Sequence, residues 1–279
     1  MSSASGRETP RMVLMLLPAG IVLAAFLLVP LVRLAIAGAS GPDGIAAYFS
    51  ILTNPRHGHD TVMTFILAVT VTLAALVVST IAGLFLARHV FPGRSALIAM
   101  LTFPLAFPGV VVGFLVIMLG GRQGLANLVS KALTGDRLVF AYSAAGLFVG
   151  YLYFSIPRVI LNVMAAAETL DPSLPEAARS LGAGPVRVFL SVTLPALMPG
   201  LIASGAICFA TAMGAFGTAF ALATDIAVLP MTIYTEFTLQ ANIAGASALA
   251  LALVLGLITW ATLFIARTLG GRGAAAGGG

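Results

Sequence analysis

The sequence predicts an all-α polytopic membrane protein with six transmembrane helices. Three observations carry that prediction. Of the 279 residues 60% are hydrophobic and only 8% are charged, against roughly a quarter charged in an ordinary soluble domain, so too few polar groups exist to face water. The charges fall between uncharged windows at 12–32, 61–87, 95–121, 138–157, 188–224 and 237–266. Each window can hold the roughly 20 apolar residues that cross a hydrocarbon core. Disorder is excluded by the same composition, since it needs low hydrophobicity and high charge. The formal net charge is +5, but with a single lysine and no basic cluster nucleic-acid binding is set aside. A lone Cys208 leaves no disulfide framework and no cysteine-based zinc site.

The elements follow in order. Residues 1–11 form a polar tail, and residues 12–267 one membrane domain with spans at about 12–37, 61–87, 95–120, 138–165, 196–222 and 243–266. The first apolar run is too long for a cleaved signal peptide and lacks a small-residue cleavage site. Between the first two spans, His57-Gly58-His59-Asp60 offers two imidazoles and one carboxylate, and no metal site is expected there. Pro104 and Pro108 interrupt the third span, Pro157 lies near the end of the fourth, and Pro195 and Pro199 open the fifth. Proline frees backbone carbonyls, which in a membrane must be satisfied by neighbouring helices or a wet cavity. Gly109/Gly113 and Gly146/Gly150 are small-xxx-small pairs that permit close helix approach. The Gly-rich tail 268–279 is expected to be disordered.

Orientation comes from the Lys/Arg bias. With both termini cytoplasmic, nine basic residues lie inside (Arg7, Arg11, Arg88, Arg94, Arg158, Arg179, Arg187, Arg267, Arg272) and five outside (Arg33, Arg56, Arg122, Lys131, Arg137). The middle of every expected span is free of ionisable groups, which speaks against a proton-coupled transporter. Arg33 and Arg158 are placed near span ends, where snorkelling accounts for them. No H-E-x-x-H or G-x-S-x-G is present, so no hydrolytic chemistry is visible. Lys131 follows Ser130 and cannot serve a P-loop. The chain is therefore no enzyme, and active transport would need an engine on another polypeptide. A channel or facilitator working alone is the alternative class.

The stretch 168–195 shows where such an engine could dock. Ser173-x-x-Glu176 suggests a capping box. Gly182 suits the left-handed position after a helix, and Pro185 suits the first position of the next one. Val186, Phe189, Leu190 and Val192 then form an apolar stripe ahead of Leu194-Pro195. A compact amphipathic helix pair of this kind fits a partner's groove.

Glu176-Ala177-Ala178, three residues, Gly182, nine residues, then Val192-x-Leu194-Pro195 resembles the EAA loop of type I ABC importer permeases, the binding-protein-dependent transport inner-membrane components. Val192 stands where isoleucine is commoner. The resemblance runs from about the second span to the sixth. It implies that two permease subunits form a path through a bacterial inner membrane, the second expected to be a paralogue, with a second copy as the alternative. Each coupling loop would dock, between spans four and five, on one subunit of an ABC ATPase dimer that binds ATP and Mg. An external binding protein delivers substrate, and this chain itself carries no cofactor. Glu176, Ala177, Ala178, Arg179, Gly182, Leu194 and Pro195 would be the coupling residues.

The segments around Leu17-Pro18, 103–113 and 214–218 are similar in texture to spermidine/putrescine permeases. A polyamine is the first expectation; ferric iron, aminoethylphosphonate, thiamine and sulfate permeases share much of that texture. Irregular or polar positions give the candidate path: Phe107, Tyr151, Tyr153, Thr211, Met213, Phe216 and Thr218, with Asp225 and Glu236 at the outer side.

Overall fold

The computed structural model describes residues 17–222, 227–254, 256–257 and 260–261. Among them the regular structure is helical. In chain order the helices are α1 Leu17–Ala39, α2 Gly44–Thr53, α3 Pro55–Arg88, α4 Arg94–Ala106, α5 Gly109–Gly120 and α6 Leu125–Thr134. Then come α7 Ala144–Glu168, α8 Ser173–Ser180, α9 Pro185–Met213, α10 Phe216–Leu222, α11 Leu229–Thr238 and α12 Ile243–Val254. Among the described residues five stretches are long and apolar enough to cross a membrane: α1, α3, Gly109–Thr134, α7 and α9.

The chain divides into two compact units. One comprises Met1–Gly58 with Thr232–Ile258, the other His59–Met231 with Thr259–Gly279. In the first unit α1 carries a π turn at Ala24–Leu28, and Gly38 lies against the Tyr48 ring, whose hydroxyl donates to the Ala35 carbonyl.

The second unit holds the core. Leu147, Tyr151, Val159, Leu197, Leu222 and Val71 are fully enclosed, while Phe65, Ile81, Met100 and Phe114 of the same unit point outward. Large apolar side chains on so much of the surface suit a lipid surround. Its helices approach through small residues. A Cβ at Gly113 would overlap Ala221, and one at Gly150 would come within 2.8 Å of the Thr218 Cγ2. Gly109, Gly113 and Gly150 thus let α5 and α7 close on α10, as their spacing suggests. Gly146 has a different job: its missing Cβ makes room for the Ala141 carbonyl in the turn that opens α7.

The expected spans are cut differently. Residues 95–120 form no single helix, because the chain turns extended at Phe107–Pro108 between α4 and α5. Residues 196–222 are likewise interrupted, at Gly214–Ala215. The N-terminal side of that span starts earlier than 196: α9 runs unbroken from Pro185 to Met213, with a π turn at Phe189–Thr193. Residues 12–16, the end of the sixth expected span and the tail 268–279 lie outside the described residues.

Candidate functional site

Two places in the second unit gather the polar chemistry. The first is the loop between α7 and α9. Here α8 begins at Ser173, yet the Ser173/Glu176 capping box is not made, and neither side chain caps the helix. The Asp171 carboxylate does the work instead, accepting from the Ser173 N–H at 2.9 Å. Hydrogen bonds from Ser173 hold the Asp171 carboxyl below the usual carboxylate range. The end of α8 follows the expectation. Gly182 takes φ +85°; its N–H donates to the Arg179 carbonyl at 2.9 Å, and the Ala183 N–H to Ala178 at 3.0 Å. That pair of bonds is a Schellman motif, which requires a left-handed residue at this position.

Pro185 opens α9 at its first turn. Leu174, Leu181, Val186 and Leu190 stand exposed around this corner, whereas Val188 is buried. Glu176, Ala177 and Arg179 are also exposed. Beneath them a recess of about 240 Å³ is lined by Arg88, Ala167, Leu170, Asp171, Pro172, Pro175, Glu176 and Arg179. Arg88 is tied to α9 by a bond from Nη2 to the Thr193 hydroxyl at 3.2 Å. Of the remaining expected coupling residues, Ala178 and Leu194 are half-buried and Pro195 is exposed.

The second place is a cavity of about 380 Å³ where the two interrupted helices meet. Its walls come from Pro104, Leu105, Phe107 and Gly109, from Phe154 and Arg158, and from Thr211 and residues 214–218. The breaks are pinned. The buried Tyr151 hydroxyl donates to the Ala215 carbonyl at 2.7 Å, and the Thr218 hydroxyl to the Gly109 carbonyl at 3.0 Å. Arg158 Nη1 donates to the Thr211 hydroxyl at 3.0 Å.

Arg158 corrects an expectation. It is the fifteenth of the 25 residues of α7, not a residue near the span's end. A cation at such depth costs roughly 2.5–3.5 kcal/mol and calls for a partner or a wet cavity. Arg158 meets both a partner, the Thr211 hydroxyl, and the open space of the cavity. The sequence hides this because Pro157 and Arg158 look like the end of an apolar window; the Phe154/Arg158 spacing of four, one helical face, is the signal that could have shown it.

Of the expected path residues, Phe107, Thr211, Phe216 and Thr218 line the cavity. Tyr151 and Met213 do not; both are buried, and Tyr151 acts as a strut. Tyr153 is half-buried and outside the lining. Asp225 lies outside the described residues. Glu236 is not on the path: within the first unit it is buried on α11, with His57 Nε2 at 3.4 Å and the Asn242 amide donating to it at 2.8 Å. His59 faces Asp60 at 3.4 Å, and among the described residues no group of three or more His, Cys, Asp or Glu side chains could hold a metal ion.

A helical membrane unit with a capped, exposed helix pair at one corner and a cavity between broken helices is the build of a transport subunit. Residues 79–272 match the model of the family described as binding-protein-dependent transport system inner membrane component, and the chain belongs to that family. It is a permease subunit of an ABC importer and a multi-pass inner-membrane protein; hydrolysis of ATP is the task of a partner ATPase.

The molybdenum transport system permease protein ModB of Escherichia coli (strain K12) is 32% identical over 235 residues, 80% of this chain and 100% of that protein. The sulfate transport system permease protein CysT of Salmonella typhimurium is 34% identical over 190 residues, 65% of each chain. PhnU of the same species, named for 2-aminoethylphosphonate transport, is 30% identical over 258 residues, 89% of this chain and 90% of that one. Among solved structures, a bacterial ABC transporter for the import of alginate superposes with a TM-score of 0.78 at 18% identity, covering 95% of this chain and 96% of that one. None of these is named for a polyamine, so the first substrate expectation has no support in them.

Proposed function

We propose that this chain forms the membrane path of an ATP-driven importer for a tetrahedral oxyanion such as molybdate, sulfate or a phosphonate. The observation that carries the substrate class is the shared chemistry of the relatives' named cargoes. The cavity agrees with it: its one charged lining residue is the cation Arg158, with no carboxylate beside it. A polyamine would meet like charge there, which costs rather than contributes.

The corner built by Glu176, Ala177, Ala178, Arg179 and Gly182, leading into Leu194-Pro195, docks on the ATPase. Exposed Leu174, Leu181 and Val186 give it an apolar face, and Gly182 sets the angle between its helices. Both termini are cytoplasmic on the charge bias, and a second permease, a paralogue or another copy, completes the path. A binding protein supplies the substrate.

The test is uptake into proteoliposomes holding the permease, its ATPase and its loaded binding protein. ATP-dependent accumulation of molybdate or sulfate is the expected result. Import of spermidine without any oxyanion would overturn the substrate class, and flux without ATP would favour a channel.

A further inference from the structure

We propose that Arg158, steadied by Thr211, is the point inside the membrane where the oxyanion is held during passage. This rests on the oxyanion reading above. Three features of the cavity converge on it. Arg158 sits about 21 Å from the start of α7 and about 15 Å from its end, taking 1.5 Å per residue, well inside a helix long and apolar enough to cross a membrane.

Its charge is uncompensated. Ion pairs such as His57–Glu236 and His59–Asp60 lie elsewhere in the chain, and among the described residues no carboxylate pairs with Arg158. One of the five guanidinium N–H groups is engaged by Thr211, and the fork that remains suits two oxygens of a sulfate-like group.

The surroundings are sized for a transient stop. A cavity of about 380 Å³ equals roughly a dozen waters at about 30 Å³ each, room for an oxyanion with part of its hydration shell. Phe107, Phe154 and Phe216 form apolar walls, which strengthen a charged hydrogen bond by lowering the local dielectric. A single half-buried guanidinium draws an anion in yet lets it go, as passage demands. Thr211 holds the fork toward the cavity, so it is a positioning residue.

The reconstituted complex with its ATPase and loaded binding protein provides the test, read as oxyanion imported per ATP hydrolysed. For Arg158→Gln this ratio should fall roughly tenfold or more, the loss of a charge-assisted bidentate contact. Arg158→Lys keeps the charge and loses the fork, and should fall in between. Thr211→Val should lower the ratio about two- to fivefold, less than Arg158→Gln, because it loosens the guanidinium without removing its charge.

An unchanged ratio in Arg158→Gln overturns the assignment. If that variant fails to assemble, Arg158→Lys decides: a severalfold fall supports the site, and a wild-type ratio overturns it. Should the wild-type complex import no oxyanion at all, the substrate reading fails and takes the site with it. Wild-type oxyanion import that neither arginine variant disturbs sinks the Arg158 assignment alone.

Discussion

The corner around α8 and the cavity are built in opposite ways. The corner is contiguous: Asp171 caps α8, Gly182 ends it and Pro185 starts α9, all within fifteen residues of chain. The cavity is assembled from three distant segments, around residues 104–109, 154–158 and 211–218. A corner made from local turns should respond to backbone chemistry, residue by residue. A cavity made by packing should respond to volume, and a partner far away in sequence should be able to repair it.

The largest effect should come from the corner. Gly182 has open space around it, so a side chain there meets strain from its positive φ and no clash. Gly182→Asp should leave membrane insertion intact while abolishing transport and binding-protein-stimulated ATPase activity. Gly182→Asn, the residue that most often replaces glycine at this helix-ending position, should retain part of both. Equal loss in the two variants would break the local account.

Next comes packing. Gly113→Leu overfills the α5/α10 contact and should destabilise the protein by about 1–3 kcal/mol, read as a lower melting temperature in detergent. Gly113→Ala should be milder, and Ala221→Gly, which removes the Cβ it would strike, should restore stability. Additive losses in that double variant would show that the contact is not the cause.

Tyr151→Phe removes the strut to Ala215 and should cost about 0.6 kcal/mol, the average for such bonds inside membranes. The smallest effect is a pH response of the corner. Because its folded pKa lies below the ordinary value, Asp171 adds stability above pH of about 4 and loses it as pH falls through the folded value. Asp171→Asn should flatten that acid limb in hydrogen exchange of the Ser173, Leu174 and Glu176 amides.

What the sequence made legible follows the same division. Gly182 and Pro185 could be read in place because each answers a local backbone demand. The capping residue was misplaced by two positions, since Asp171 and Ser173 are both good caps and only the entry angle of the chain selects between them. In the cavity, Pro104 and Pro108 announced irregularity, and Phe107, Thr211, Phe216 and Thr218 were found through it. Arg158 was missed because, close to the expected end of the fourth span at 165, its charge could be assigned to snorkelling, whereas it lies at the fifteenth of 25 helical residues. Charge tallies mark the edges of hydrophobic runs, and a helix that hides an arginine beside a cavity does not end where its hydrophobicity does.

The unbroken course of α9 has a mechanical consequence. Its 29 residues make a rod of about 43 Å at 1.5 Å per residue, with Pro185 at one tip and Thr211 almost at the other. Over that length a tilt of about 5° swings the far tip by roughly 4 Å, more than the reach of a hydrogen bond. Such a tilt about the Pro185 end would part Thr211 from Arg158. A displacement at the Pro185 corner would then reach the Arg158–Thr211 bond through one helix, with no relay of intermediate parts.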